Sequence, residues 1–458
     1  MDKVALNLPW LRASLAETAK VDEICRRLLG ISERVYGPGK KDHSRDIRLH
    51  IMRNDFMLES TVGSSGFAGR QIELNMIAAS FSTHCADLTE VHRYALVKYI
   101  PRLRPDCDAQ DVHEALQQAL PRSPNTDGIA AALAQAQRVY ANRWKPTGKP
   151  RVVLFISSEK ENNELDHRKL EISLFKNHKV LTVRRSLAAL SAQCSTLLAP
   201  LEPAGFDGAA AADGSRGPQA LLVDGHEVAV AYFREGYWPG QFCPAEECWT
   251  ARETIEISEA VKCPSAPAQL AGMKKVQQLL SQAHELRRFA PDGVGQRLRR
   301  CFARQEDPSA ESEEAKQAVR AAKDDPASWV MKPQVEGSGD LLFGVDIPKT
   351  LGAKSRDELA EFILMERISP PVVPSAVLRA EPSRRAEPVV RRSVSELGIF
   401  GAFLADGTEV LQNVALGPLL RSKAKDTSQG GVFVGNAVVD VPLLVPAQRF
   451  WSQVERCI

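Results

Sequence analysis

MKPQVEGSGDLLFG, residues 331–344, is the stretch on which the reading of this chain turns. A short apolar strand ends in Lys332, Glu336 follows, and then comes a loop holding Gly337 and Gly339. Glycines let a backbone approach phosphate oxygens and turn its amide hydrogens toward them. Lys332 supplies a point charge for a phosphate, and Glu336 supplies a hard oxygen of the kind Mg²⁺ prefers. An ordinary glycine turn beside a salt-bridged pair stays open on these residues alone. A P-loop is excluded, because no GxxxxGK[ST] occurs. No amphipathic helix is evident after Gly344, which also weighs against a dinucleotide-binding turn.

Working outward, four more segments carry chemistry-bearing residues. In QIELN, residues 71–75, strand alternation places Glu73 and Asn75 on one face, where a carboxylate and an amide oxygen can share a cation. SSEKENNELDHR, residues 157–168, leaves the apolar run Val152–Ile156. Open α/β sheets bind ligands at such strand ends, and Glu161 and Asn163 could grip an amino or carboxylate group. YFREGY, residues 232–237, carries Arg234 out of a strand into a glycine loop, a place for a carboxylate clamp. LLRSKAKDTSQGGVFVG, residues 419–435, has Arg421 and Lys423 ahead of a Gly-Gly pair and reads as a flexible closing loop. Glu366 after an apolar strand and Glu396 in SVSELGIFG could orient a nucleotide. Each segment alone also has a plain reading: a polar strand face, a helix start, a surface arginine or a solvated basic loop.

The chain between these segments is mixed. Residues 1–50 read as helical, and two short strands, Phe56–Ser60 and Gln71–Leu74, flank a turn-rich stretch. One helix is expected over Val91–Leu120 and another from Asp127 to a Pro/Gly/Lys linker at 145–150. The pattern then becomes α/β: a buried strand at 152–156, a helix at 165–176 and a strand at 180–183. A Gly/Ala-rich insertion at 205–218 and a hairpin turning at Asp224-Gly225 follow. Beyond about 264 the sequence predicts helices at 274–288 and 296–303 and a polar charged stretch at 305–325. Strands are expected at 329–332, 362–365, 389–394, 399–404 and 432–434, with a hairpin turn at Asp406-Gly407 and a surface loop over 370–388. The expected domains are 1–148, 149–263 and 264–458, the last with a lid over about 326–385.

Composition narrows the functional classes. The 458 residues carry 59 basic and 57 acidic side chains, a net charge of +2, which argues against a dedicated nucleic-acid binder. The nine cysteines are scattered with no CxxC pair, so neither a zinc site nor a thioredoxin-like centre is indicated, and a reducing compartment is expected. No apolar run is long enough to span a bilayer and no signal peptide is evident, so the expected location is cytoplasmic. No HExxH and no Ser/His/Asp order stands out.

In their order along the chain, QIELN with Ser80, SEKENN, VAYFREGY, KCPSAPAQLAGMKKVQ, MKPQVEGSG, ILMERI, SELGIFG and LLRSKA with the following GGV resemble eukaryotic-type glutathione synthetase, an ATP-grasp ligase family. The similarity runs from about Arg53 to about Asp440. It implies an α/β (α+β) fold: an ATP-grasp fold with an inserted parallel α/β substrate-binding domain and a lid. It implies ATP, γ-glutamylcysteine and glycine as partners, with two Mg²⁺ ions. The metal ligands would be Glu73, Asn75 and Glu336. ATP would be held by Glu73, Lys274, Lys332, Glu336, Gly337, Ser338, Gly339, Phe343, Met365, Glu366, Arg367, Ile368, Glu396, Lys423 and Gln429. Arg53, Ile77, Ser80, Glu161, Asn163, His167, Arg234, Tyr237, Arg421, Val432 and Phe433 would hold the dipeptide and the acceptor. Arg421, Lys332 and Lys274 would be the catalytic charge-stabilising groups.

The sequence departs from the family at several points. It starts later than the family usually does, so a shortened start is expected, with some of the contacts of a homodimer missing. His167 stands where a glutamine is usual, Asp340 and Leu341 replace a pair of asparagines, and Phe343 replaces a tyrosine. Phe433 and Val434 follow Gly430-Gly431-Val432 where glycine-using members carry small residues, and a tail extends past Asp440. These departures keep two alternatives open: a sister ligase using another amine such as β-alanine, and a non-catalytic ATP-binding homologue.

Overall fold

The computed structural model describes residues 1–60, 67–103, 108–193, 197–204, 217–334, 341–377, 389–427, 430–432 and 435–444. Glu336, Gly337, Ser338, Gly339 and Asp340 of the glycine-rich loop lie outside these residues, as do Gln429, Phe433, Val434, most of the 205–218 insertion and the 378–388 part of the expected surface loop.

Three sheets organise the chain. The first is antiparallel and has six strands: Ile47–Ser60, Phe67–Asn75, Val373–Val377, Val389–Asp406, Glu409–Ala424 and Val438–Asp440. Ile47–Ser60 is paired on both sides, with Phe67–Asn75 and with Val389–Asp406. It is much longer than the short strand expected at its end. The helical pattern stops with the helix Glu23–Tyr36. From Ile47 the backbone is extended, and even Arg48 and His50 are buried because Asp2 accepts hydrogen bonds from both. Those buried ion pairs mask the strand's alternation.

The second sheet is the expected α/β unit. Arg151–Ile156 lies between Leu181–Arg185 and His226–Phe233, all parallel, with the helix Glu164–His178 as the first crossover. Val261–Cys263 extends it in parallel, and Gln219–Val223 and Leu198–Pro200 add antiparallel strands. The third sheet is small and antiparallel: Trp329–Pro333, Phe362–Glu366 and Gln305–Glu306.

The alanine-rich helix Asn125–Arg143 contacts strands of both large sheets. Ile129, Leu133, Ala136 and Tyr140 are fully buried on it. Small side chains let the helix lie close, and each large apolar side chain adds about 1.5–3 kcal/mol of burial. On its first turn Gly128 faces Leu416 of the first sheet so closely that an added Cβ would meet Cδ2 at 2.6 Å.

Four local expectations are corrected. Val91–Leu120 is two helices, Ser82–Leu103 and Ala109–Ala119. Val389–Val394 and Ile399–Leu404 are one strand, held throughout by pairing partners. The polar stretch 305–325 contains the helix Glu313–Asp324, capped by Ser312 and buried only through Ala315, Ala318 and Ala322. That apolar stripe is of alanines alone and is easily read as polar. A helix, Asp346–Ala353, does follow Gly344, buried through Ile347 and Leu351. Pro348 in its first turn, where proline is tolerated, disguises it.

Candidate active site

The hairpin Ile47–Ser60/Phe67–Asn75 places its chemistry by register. Asp55 lies opposite Glu73, and Arg53 opposite Asn75. On the other flank Asp55 faces Gly398, and one strand further Glu396 faces Arg421. The sheet therefore gathers three carboxylates and two arginines at one place. Oxygens of Asp55, Glu73 and Glu396 lie within 4.8 Å of one another.

Two lysines come in from elsewhere. Lys332, on the third sheet, donates to the Ile72 carbonyl at 2.9 Å. Lys274 starts the helix Lys274–Ser281 and donates to the Gln334 carbonyl at 3.4 Å. Both are nearly buried. Burial pushes the Glu73 carboxyl up, but Lys274, Arg421, Lys332 and Arg53 together hold it down at about 2. Glu396 goes the other way: burial raises it, and Asp55 and Glu73 repel its charge against the pull of Arg421. Burial works against the Arg421 guanidinium, yet Glu396, Asp55 and Glu73 keep it protonated beyond the ordinary arginine range. Burial lowers Lys423, against the attraction of Glu396.

A cavity of about 730 Å³ opens over this cluster. It is lined by Arg53, Glu73, Asn75, Ile77, Ser80, Tyr237, Lys274, Lys332, Phe343, Met365, Glu366, Arg367, Ile368, Glu396, Arg421, Lys423 and Val432, all expected from sequence. Arg421 and Lys423 reach it from a strand paired on both sides, not from a flexible loop. Residues 419–424 of the expected closing loop are therefore strand. Strand geometry explains why the two cations, two residues apart, share a face.

Glu161, Asn163, His167 and Arg234 do not line this cavity. Asn163, His167 and Arg234 are at most 4% exposed. Arg234 donates to the Ala79 carbonyl at 2.7 Å, Tyr232 Oη at 3.1 Å, Ser80 Oγ at 3.1 Å, Asp166 Oδ2 at 3.3 Å and His167 Nε2 at 2.9 Å. All its N–H groups face protein acceptors. Its work is on the turn 78–81, where Ala78 and Phe81 take positive φ values of 50° and 71°. Because His167 Nε2 accepts from Arg234, its proton sits on Nδ1, toward Ser157 Oγ at 3.3 Å. Burial and the Arg234 charge push the imidazole down to about 2, so it is neutral. Next to Arg234 in sequence, burial raises the Glu235 carboxyl to about 7, and Glu161 and Glu159 add to the shift.

Asp55 was not singled out in the sequence. Its signal was there: Arg53 and Asp55 alternate on a strand exactly as Glu73 and Asn75 do.

Divalent-cation chemistry fits these donors. Asn75 Nδ2 donates to Asp55 Oδ2 at 2.9 Å and to Glu73 Oε1 at 3.3 Å, so its Oδ1 is turned away from both carboxylates. Glu73 stays ionised. Carboxylate and amide oxygens are hard ligands suited to Mg²⁺.

A solved structure shares this fold. A glutathione synthetase-like effector, GSS30, from Globodera pallida superposes with a TM-score of 0.65 at 18% identity, covering 96% of this chain and 85% of that one. Among sequences, the family described as eukaryotic glutathione synthase, ATP binding domain, matches residues 1–444. The chloroplastic glutathione synthetase of Solanum lycopersicum is 35% identical over 97% of this chain and 72% of its own length. The glutathione synthetase of Xenopus laevis is 34% identical over 97% of this chain and 84% of its own. That of Homo sapiens is 34% identical over 96% and 84%. The matched class is that of ATP-binding ligases. The chain belongs to the eukaryotic glutathione synthase family. No helix among the described residues is long and apolar enough to cross a membrane.

Proposed function

We propose that this protein joins γ-glutamylcysteine to glycine at the expense of ATP, acting as a glutathione synthetase. The observation that carries the reading is Glu73 and Glu396 interleaved with Arg53, Arg421, Lys274 and Lys332 on one cavity wall, with the buried Asp55 directly behind them. Such a wall accepts a polyanionic nucleotide next to a carboxylate substrate and needs no protein nucleophile.

In the proposed reaction the C-terminal carboxylate of the dipeptide attacks the γ-phosphorus of ATP. The bond to the β-γ bridging oxygen breaks, ADP leaves, and an acyl phosphate forms. The glycine amine then adds to that carbonyl, inorganic phosphate departs, and the amine gives up a proton. Arg53 and Arg421 face the dipeptide carboxylate in this reading. Lys274, Lys332 and Lys423 face the phosphates and stabilise charge that grows in the transition state. Met365, Glu366, Arg367 and Ile368, with Phe343, form the part of the cavity suited to a nucleobase. Glu73 and Asn75, with Glu336, would hold Mg²⁺, which supplies Lewis-acid charge neutralisation on the phosphates when bound; two ions are proposed. Arg234, His167 and Asn163 support the Ser80 turn from behind, and Tyr237 reaches the cavity beside it. Glycine is the proposed acceptor.

The test is ADP release with ATP, Mg²⁺ and γ-glutamylcysteine while glycine, β-alanine and serine are varied. Release that requires both the dipeptide and glycine is expected. Absence of dipeptide-dependent ADP with every amine would refute the reading, and a strong preference for β-alanine would replace the acceptor.

A further inference from the structure

Asp55 is wholly buried and cannot touch a substrate, yet it joins three residues that line the cavity. Its Oδ1 accepts from Arg53 Nε at 2.7 Å. Its Oδ2 accepts from Arg53 Nη2 at 2.8 Å, Arg421 Nη2 at 2.8 Å and Asn75 Nδ2 at 2.9 Å. One carboxylate thus grips a guanidinium by its fork, a second guanidinium by one arm, and an amide by its donor end. A planar fork held at two N–H groups has its ring of remaining donors fixed in direction. For Arg53 the remaining arm, Nη1, points to the Ser80 carbonyl at 3.2 Å, at the cavity turn.

A second observation comes from the neighbouring strand. Gly398 lies opposite Asp55, and a Cβ there would stand 2.7 Å from Asp55 Oδ1 and 2.8 Å from Arg53 Cδ. Both distances are below what real Cβ atoms show. Its backbone has no positive φ, so conformational freedom does not call for glycine here. The space does: the Arg53–Asp55 fork lies flat against this strand and only hydrogen fits beneath it.

We propose that Asp55, with Gly398 as its clearance, is the positioning device of the carboxylate-binding side of the site. It sets Arg53 and Arg421 as a pair and turns the Asn75 amide so that its oxygen is the free atom. The proposal rests on the ligase reading above. It adds that affinity for the dipeptide, far more than for the nucleotide, depends on a residue that meets neither.

The test uses the full chain at saturating Mg²⁺. Asp55→Asn replaces one acceptor by a donor and removes the charge that holds both arginines. Gly398→Ala pushes on the same fork from the other strand. Each is expected to raise KM for γ-glutamylcysteine by at least about tenfold, as suits the loss of hydrogen bonds to a charged partner. KM for ATP stays within about threefold, because Lys274, Lys332 and Lys423 are untouched and Asn75 still donates to Glu73 Oε1, which keeps its amide oriented at saturating Mg²⁺. The double variant loses little more than the worse single one, since both act on one fork. Binding of a fluorescent ATP analogue reports the folded fraction, so kinetics are scored per folded molecule. Equal rises in both KM values, an unchanged dipeptide KM, or additive losses in the double variant would each overturn the proposal. A wild-type protein that turns over no dipeptide would instead overturn the ligase reading.

Discussion

Glu235→Gln should stabilise the protein at neutral and alkaline pH and leave it unchanged in acid. The Glu235 side chain is 2% exposed and its Oε1 accepts from the Leu187 amide at 2.5 Å. Burial lifts its carboxyl from 4.5 to about 7, with Glu161 and Glu159 adding to the lift. A folded state that binds the proton more tightly than the unfolded chain has that stability in full below the unfolded value. It loses it progressively as pH rises to the folded value. The window is therefore about pH 4.5 to 7. At about 1.36 kcal/mol per tenfold change in proton affinity, the ceiling on the loss is about 3 kcal/mol. Glutamine keeps the acceptor for Leu187 and carries no charge, so it removes the penalty without opening a cavity. An unfolding entropy of about 2.1 cal/mol/K per residue gives about 1 kcal/mol/K for a chain this long, so the gain in Tm is about 3 °C at pH 8. Melting curves of both proteins at pH 5 and pH 8 check it. A Tm difference that is the same at both pH values, or a destabilised variant at pH 8, would refute the reasoning.

Lys332→Met should lower kcat/KM for ATP by about a hundredfold or more, the scale of losing a preorganised charge at a reacting phosphate; a loss under tenfold would remove Lys332 from the phosphate site. Methionine fills the buried space of the lysine chain but gives up its bond to the Ile72 carbonyl, so the melting temperature serves as control. His92 Nε2 donates to Asp440 Oδ1 at 2.9 Å, and that bond raises the imidazole above its ordinary value of 6.5. The contact is at full strength below pH 6.5 and fades as pH climbs through the raised value, so amide exchange in Val438–Asp440 should quicken more between pH 6 and 9 than the intrinsic rate does, and His92→Ala should abolish that excess. Gly128→Ala should cost about 1–3 kcal/mol by overpacking, because the new Cβ meets Leu416 at 2.6 Å; an unchanged denaturation midpoint would mean that Leu416 moves aside freely.

How far the site could be read in the sequence depended on how local its parts are. The second sheet was legible because its central strand is a continuous apolar run followed by a helix and its hairpin turns on Asp224-Gly225, so Val152–Ile156 and that turn stand where the sequence pattern puts them. The first sheet was less so, since buried charged residues interrupt the apolar alternation of its long strands. Arg48 and His50 look solvated until Asp2 is placed beside them. Arg421 and Lys423 look like a mobile basic loop until Glu396 and Val438–Asp440 are found on either side. The same holds for the chemistry. Glu73 and Asn75 announce themselves within five residues, but Arg234 reads as a ligand clamp and instead meets Ser80, Asp166 and His167, which come from two separate segments. Asp55 is the sharpest case. An aspartate in a strand reads as a surface carboxylate, because burying it unpaired costs several kcal/mol. It becomes tolerable only when Arg53 and Arg421 meet it, and those cations come from its own strand and from one more than three hundred and fifty residues away in the chain. The feature that betrays it is Gly398, a glycine in a strand with no turn to make. A glycine of that kind marks where something lies close against the backbone, and here what lies against it is the ion pair that orders the site.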